Sequence, residues 1–219
     1  MIRTIFFDLD DTLYPNSTGL WQAIRMRIGL YMKERLNLPE EEIPELRRFY
    51  FERYGTTLRG LQIHYRVDPL DYLAYVHDLP LQDYLSPSPQ LRQLLLSLPQ
   101  QRWVFTNADS AHARRVLNAR DLTGCFQGII DVLATGFICK PEPGAYQKAL
   151  QIAGETDPAS CMLVDDAPRN LLAAQQMGFA TVLVGGEHAT ANSMLHVPDL
   201  QSLRSVAPQL WSQRGKNAG

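Results

Sequence analysis

Cysteine is scarce. The chain has three in 219 residues, Cys125, Cys139 and Cys161, odd in number and without metal-binding spacing. A disulfide framework and a zinc module are thereby excluded, and a reduced, cytoplasmic protein is the expectation. An excess of charge of either sign is also missing. The 21 Lys and Arg against 23 Asp and Glu leave a formal net charge of −2, so no basic surface for nucleic acid is expected. No segment approaches the roughly 20 consecutive apolar residues that span a bilayer, and the first residues lead directly into a strand rather than a signal peptide. Internal repeats and low-complexity blocks are absent. What remains is ordinary globular composition, 45% hydrophobic and 20% charged, long enough for a core domain with a smaller companion.

The chain is organised around Ile5-Phe6-Phe7-Asp8-Leu9-Asp10-Asp11-Thr12-Leu13-Tyr14. A run of β-formers, apolar on both faces, reads as a central strand covered on each side. It ends in three carboxylates and a threonine, at the end of a strand where open α/β sheets build active sites. Concentrated acid there calls for a hard cation such as Mg²⁺. From Tyr14 to Ser86 the pattern becomes helical. Leu20, Trp21, Ile24, Ile28 and Tyr31 recur at helical spacing, a second helix starts near Pro44, and Asp68-Pro69 caps another. No strand is expected in this span, which is too long for a loop and reads as an all-helical insertion.

Ser86-Pro87-Ser88-Pro89 is the return linker. Helix and strand then alternate, with strands at Trp103–Phe105, Gly128–Val132, Cys161–Val164 and Thr181–Val184. The alternation predicts a doubly wound parallel sheet, of the Rossmann-like α/β class. The division expected is a core of residues 1–14 and 87–207, a helical unit of 15–86, and a polar, fraying tail of 208–219. In a parallel sheet, three separate strand ends converge: Asp8/Asp10/Thr12, Thr106/Asn107 and Asp165/Asp166. Lys140 precedes a helix that Pro141 or Pro143 helps to start. Carboxylates, one fixed cation and hydroxyl and amide donors are the parts that hold a metal beside a phosphoryl group.

Four stretches carry a resemblance. Asp8-Leu9-Asp10-Asp11-Thr12, Val104-Phe105-Thr106-Asn107, Lys140-Pro141 and Leu163-Val164-Asp165-Asp166 resemble, in order and spacing, the four motifs of the haloacid-dehalogenase-like (HAD) phosphohydrolases. The resemblance implies a Rossmann-like HAD core with a helical C1-type cap inserted after the first strand. It implies Asp8 as the nucleophile that forms an aspartyl-phosphate and Asp10 as the general acid and base. Thr106 and Asn107 would bind the phosphoryl group and Lys140 would neutralise Asp8 and the phosphate. Mg²⁺ would be held by Asp8, the carbonyl of Asp10 and Asp166, with Asp165 direct or through water. Asp11 stands where many relatives have glycine and is read as structural, as is Thr12.

Within the insertion, Tyr54-Gly55-Thr56-Thr57-Leu58-Arg59-Gly60-Leu61, then His64 and Asp68-Pro69-Leu70-Asp71-Tyr72, look like the pyrimidine 5'-nucleotidase branch. That likeness implies nucleoside 5'-monophosphates as substrates, pyrimidine ones first. Arg59 is a candidate to bind them, with an ion pair to Asp68 or Asp71 as the alternative. Tyr54, His64 and Tyr72 are candidates to stack on or hydrogen-bond a base, and Gly55 and Gly60 let the chain bend close to the ligand. The alternatives are a broad small-metabolite or sugar-phosphate phosphatase, a phosphomutase, and a non-catalytic ligand-binding protein. A dehalogenase is disfavoured because it does not need Asp10. His112, His188 and His196 have no partners at ligand spacing and read as surface residues. Arg169 and Asn170 read as capping and orienting the helix that follows the last acid pair, with a hydrogen bond from either to Asp10 or Asp165 as the alternative.

Overall fold

A computed structural model describes residues 1–185 and 195–212. In chain order its elements are β1 (Thr4–Phe7), α1 (Leu20–Leu36), α2 (Ile43–Tyr54), α3 (Thr57–Tyr65), α4 (Pro69–Val76), α5 (Pro89–Ser97), β2 (Gln101–Phe105), α6 (Ser110–Ala119), β3 (Gly128–Ile130), α7 (Pro143–Ala153), β4 (Cys161–Asp165), α8 (Pro168–Gln176), β5 (Ala180–Val184), β6 (Leu195–Val197) and α9 (Leu203–Val206). The strands form one parallel sheet in the order β3-β2-β1-β4-β5-β6. The short edge strand β6 was not anticipated.

The two-sided apolar pattern of β1 has a direct outcome. Alternate side chains point to opposite faces of a strand. Ile5 and Phe7 join a core with Val104, Val164 and residues of α5 and α6, including Leu95 and Val116. Phe6 joins a second core with Phe105, Leu163, Tyr146 of α7 and Leu171 of α8. All four residues of β1 are buried, as a central strand covered by helices on both faces must be.

Topology gathers the polar strand ends. β1 pairs in parallel with β2 and β4, so that Phe7 lies level with Val104 and Val164. The next backbone step is also tied, because the Asp8 N–H donates to the Val164 carbonyl at 2.8 Å. The chain builds outward to β3 from one side of β1 and to β6 from the other. The reversal falls between β1 and β4, which is where open α/β sheets form a crevice at their carboxyl ends.

Between β1 and α5 the described structure is helical throughout, carrying α1 to α4. α1 buries Leu20, Ile24, Ile28, Tyr31 and Met32, the expected stripe. Asp68 caps α4 by accepting from the Leu70 N–H, with Pro69 in the first turn. One expectation is corrected. The segment after Gly55 is not a bent ligand loop but the helix α3, capped by the Thr56 hydroxyl accepting from the Arg59 N–H. Gly60 lies inside it, and a Cβ there would stand 2.2 Å from Cγ of Tyr50. Its missing side chain lets α3 pack against α2. Gly55 does serve close approach: at φ +84°, a Cβ would stand 3.0 Å from the Lys140 carbonyl.

The tail is also corrected. Leu210 is buried, the Trp211 indole N–H donates to the Ser97 hydroxyl at 2.8 Å, and Gln100 donates to the Leu210 carbonyl. Residues 208–212 are therefore packed against the sheet, while 213–219 lie outside the described residues, as does His188.

Candidate active site

Asp8 follows β1 directly and is nearly buried. Its Oδ1 accepts from Lys140 Nζ at 2.7 Å. The same ammonium donates to Asp165 Oδ2 at 2.6 Å and to the Phe105 carbonyl at 2.8 Å. All three lysine hydrogens are thus committed to the protein. Burial alone would lower the Lys140 pKa, but Asp165 and Asp8 outweigh it and hold it raised. Lys140 is itself placed by Asn107. The Asn107 amide donates to the Lys140 carbonyl at 3.0 Å and accepts from the Lys140 N–H at 2.8 Å. Asn107 therefore reaches the site, but its side chain is spent on the lysine rather than on a ligand. The Thr106 hydroxyl accepts from the Ala108 N–H at 3.0 Å, which leaves its own hydrogen to donate.

The acid pair after β4 divides in two. Asp165 is fully buried, and both of its oxygens are occupied. Asn170 Nδ2 donates to Oδ1 at 3.0 Å and to Oδ2 at 3.1 Å, and the Ala167 N–H donates to Oδ1 at 2.9 Å. Asp166 lines the cavity instead. Burial, then the charges of Asp165 and Asp11, push it up to about 7. Asp8 is raised for the same reasons: burial first, opposed by Lys140, then reinforced by the neighbouring carboxylates. One ammonium does not offset this many acids. Oxygens of Asp8, Asp165 and Asp166 lie within 4.8 Å of one another. An all-oxygen set with an uncompensated negative charge fits a hard divalent cation such as Mg²⁺. Asp8 and Asp166 are the carboxylates with oxygens left to hold it, because Asp165 already has a full complement of donors.

Asp10 has a different environment. Its Oδ1 accepts from the Tyr14 hydroxyl at 2.6 Å and from His112 Nε2 at 3.0 Å. Burial and the adjacent acids keep the Tyr14 hydroxyl protonated, with its pKa raised well above the ordinary value. Burial would raise Asp10, yet His112 and Tyr14 bring it below the usual carboxylate range. Among the described residues no hydrogen bond takes Oδ2, so one oxygen is anchored and the other is presented to the cavity. His112 is 1% exposed, which corrects its reading as a surface residue. It stacks on His77, the residue that ends α4, with ring centroids 4.0 Å apart. His77 Nδ1 bonds Asp109 at 2.6 Å. Against the cost of burying Asp109, the His77 hydrogen bond and the imidazole charges bring its pKa down to about 2. A lone histidine on α6 carried no spacing signal that could have revealed this. His196, also read as a surface residue, is partly buried at the edge strand and bonds the Gly185 carbonyl.

Asp11 has φ +58°, the left-handed region that glycine adopts without strain. Its carboxylate accepts from Asn16 at 2.6 Å, a local bond of the kind that lets Asp tolerate this conformation. Thr12 is buried in the same turn.

A cavity of about 590 Å³ opens between these strand ends and the inserted helices. Asp8, Asp10, Thr106, Lys140 and Asp166 form its floor, and Trp21, Arg25, Arg47, Phe51 and Tyr72 are among the residues of its opposite wall. Arg59, Tyr54 and His64 do not line it. The Tyr54 hydroxyl instead pairs with His64 Nε2 at 2.9 Å, and the His64 ring stacks on Tyr50, so these two consolidate the α2–α3 pair. Arg169 does line the cavity. It donates to the carbonyls of Phe51 and Gly55 at 2.9 and 2.7 Å and lies 3.4 Å from the Phe51 ring centroid, tying α8 to the end of α2.

Comparison with known proteins agrees with this geometry. A family model described as haloacid dehalogenase-like hydrolase matches residues 2–178. Phosphate metabolism protein 8 of Saccharomyces cerevisiae is 31% identical over 195 residues, covering 83% of this chain and 61% of the yeast protein; the chain thus spans about three-fifths of that relative's length. Among solved structures, the HAD-hydrolase YfnB of Bacillus subtilis, bound to magnesium, superposes with a TM-score of 0.65 at 15% identity over 94% of this chain and 98% of that one. The 2-haloacid dehalogenase of Pseudomonas syringae pv. Tomato gives 0.62 at 21% identity over 95% and 99%. At these identities the two structures establish the fold.

Proposed function

Because the chain belongs to the haloacid dehalogenase-like hydrolases, we propose that it hydrolyses phosphate monoesters, with Asp8 as the nucleophile and Asp10 as the acid–base group. One observation carries the reading. Asp10 shares the cavity floor with Asp8 and has one oxygen anchored by Tyr14 and His112. A second carboxylate held this way serves proton transfer to and from an ester oxygen. A dehalogenase, the alternative raised by the solved relatives, has a halide to expel and no oxygen to protonate.

The steps follow from the side chains. An Asp8 oxygen attacks phosphorus while Lys140 holds Oδ1 and restrains the carboxylate. Asp10, ionised before substrate binds, takes up a proton as the phosphate anion binds beside it. The ester P–O bond breaks, and Asp10 gives that proton to the departing oxygen, so that an alcohol leaves. Asp10, now a carboxylate, takes a proton from water as that water attacks the aspartyl-phosphate. The Asp8–phosphorus bond breaks and inorganic phosphate is released. Splitting the displacement in this way replaces one difficult step by two easier ones. The Thr106 hydroxyl donates to the phosphoryl group, and Asn107 acts on Lys140. A Mg²⁺ held by Asp8, Asp166 and the Asp10 carbonyl would supply charge neutralisation for the phosphoryl oxygens.

In the same reading residues 15–86 act as a cap over a core formed by 1–14 and 87–207, excluding water from the reaction. The substrate class is a nucleoside 5'-monophosphate. A cavity of about 590 Å³ has room for one, and Trp21, Phe51 and Tyr72 give its wall aromatic surface. A yeast relative named for phosphate metabolism supports the phosphate chemistry. The cysteines are free and buried, which fits a reducing compartment, and no helix among the described residues is long and apolar enough to cross a membrane. Phosphate release from nucleoside monophosphates, sugar phosphates and glycerol phosphate, with Mg²⁺ and with EDTA, tests the proposal beside chloride release from 2-chloropropionate. Mg²⁺-dependent phosphate release that is fastest on the nucleotides is expected. Chloride release without phosphate release would overturn it.

A further inference from the structure

The cavity is bipolar. The acids lining it, Asp8, Asp10, Asp11 and Asp166, all belong to the strand-end floor. The wall contributed by the inserted helices carries Arg25 of α1 and Arg47 and Arg48 of α2, and no acid. Arg48 has Glu45 at 3.8 Å, both largely exposed. Arg25 is exposed as well, whereas Arg47 is different. Arg47 is half-buried, and its Nε is buried without a hydrogen-bond partner. Its pKa is lowered by burial first and by the like charge of Arg25 second. A half-buried guanidinium with an unmatched donor, on a cavity wall that carries further arginines, is a costly arrangement unless an anion joins it. Guanidinium groups match carboxylate and phosphate oxygens in bidentate geometry.

From Arg47, with its unmatched buried Nε, and Arg25 on the cavity wall opposite the Asp8 floor, we infer that the substrate carries a second anionic group, a carboxylate or a phosphate, on its leaving alcohol. The inference rests on the phosphomonoesterase reading and narrows its substrate class, since a plain nucleoside 5'-monophosphate leaves as a neutral nucleoside and the second anion requires a further phosphate or carboxylate on that alcohol. The reacting phosphoryl group is bound at the acidic, metal-holding floor, and the second anion is bound by the arginines. A neutral nucleoside would leave Arg47 Nε unmatched, whereas a nucleotide with a further phosphate on its sugar would satisfy it. The two arginines then discriminate between esters of like size by charge, since an anion-binding site left empty by a neutral analogue rejects it.

The test uses matched esters that differ in that one charge: glycerol 3-phosphate against 3-phosphoglycerate, and uridine 5'-monophosphate against uridine 3',5'-bisphosphate. The first pair probes a carboxylate and the second a phosphate. Wild-type protein with Mg²⁺ is expected to favour the more anionic member of at least one pair by about tenfold or more in kcat/KM. In Arg47→Gln and Arg25→Gln that ratio is expected to fall toward one. Equal kcat/KM within both pairs for the wild type overturns the inference and leaves the phosphatase reading standing. A preference that survives both substitutions also overturns it. Calorimetry of uridine 3',5'-bisphosphate in EDTA separates binding from turnover. Binding weakened about tenfold by Arg47→Gln supports the arginine site even if no ester is hydrolysed, in which case the phosphatase reading alone falls. Equal binding by variant and wild type overturns the site.

Discussion

Two aspartates two residues apart acquire separate chemistries from what touches them. Asp8 has an ammonium at 2.7 Å, and Asp10 has a phenol and an imidazole on one oxygen. On the proposed mechanism His112 is a positioning residue for Asp10, and the leaving group reports on it. An ester with a poor leaving alcohol needs its oxygen protonated, whereas a nitrophenolate departs without help. His112→Asn is expected to lower kcat by about tenfold to a hundredfold on an alkyl phosphate and only a few-fold on p-nitrophenyl phosphate. Parallel kinetics on the two esters check it; equal losses on both would mean that His112 only supports the fold. At this scale the sequence was legible where several strand ends carried chemistry together, as with Asp8, Thr106, Lys140 and Asp166. It was silent on His112, Arg25 and Arg47. One histidine or arginine on a helix looks the same whether it faces solvent or a cavity, and only tertiary packing decides between them.

The helices of the insertion show how a local pattern can be right about composition and wrong about geometry. Two glycines in the Tyr54–Leu61 stretch suggested a flexible ligand loop. Gly55 does meet the Lys140 backbone, but Gly60 lies within α3 at its crossing with Tyr50. A glycine weakens a helix interior, so its presence there was a packing signal rather than a bend. Gly60→Ala gains helix propensity but forces a Cβ into the Tyr50 ring, and overpacking of that kind costs about 1–3 kcal/mol. The variant is expected to melt at a lower temperature than wild type, measured by circular dichroism. An unchanged or raised melting temperature would show that α2 and α3 separate without cost. The rotation of Arg59, Tyr54 and His64 away from the cavity follows from the same crossing. Once α3 packs through Gly60 and Leu61, the wall over the floor is drawn from α1, α4, the start of α3, and Arg47 and Phe51 of α2.

Over the whole molecule, the parallel order β3-β2-β1-β4-β5-β6 brings residues 8, 106, 140 and 165 to one edge although they are spread across most of the chain. Alternating strand and helix patterns, with β1 apolar on both faces, made that topology readable in advance. The edge strand β6 and the packed segment 208–212 were not readable, because each is short and owes its order to contacts with distant residues such as Ser97 and Gln100. The architecture sets an acidic floor, with room for a hard cation, beneath a wall that carries arginines. Its central claim is that Asp8 becomes covalently phosphorylated during turnover. Acid quenching of a single turnover of phosphate ester with Mg²⁺, followed by peptide mass spectrometry, tests that claim most directly. The account predicts a phosphoryl group on Asp8 that borohydride reduces and that is absent from Asp8→Asn, a variant that stays folded but inactive. Turnover with no phosphoryl group on Asp8, or undiminished activity in Asp8→Asn, would contradict it.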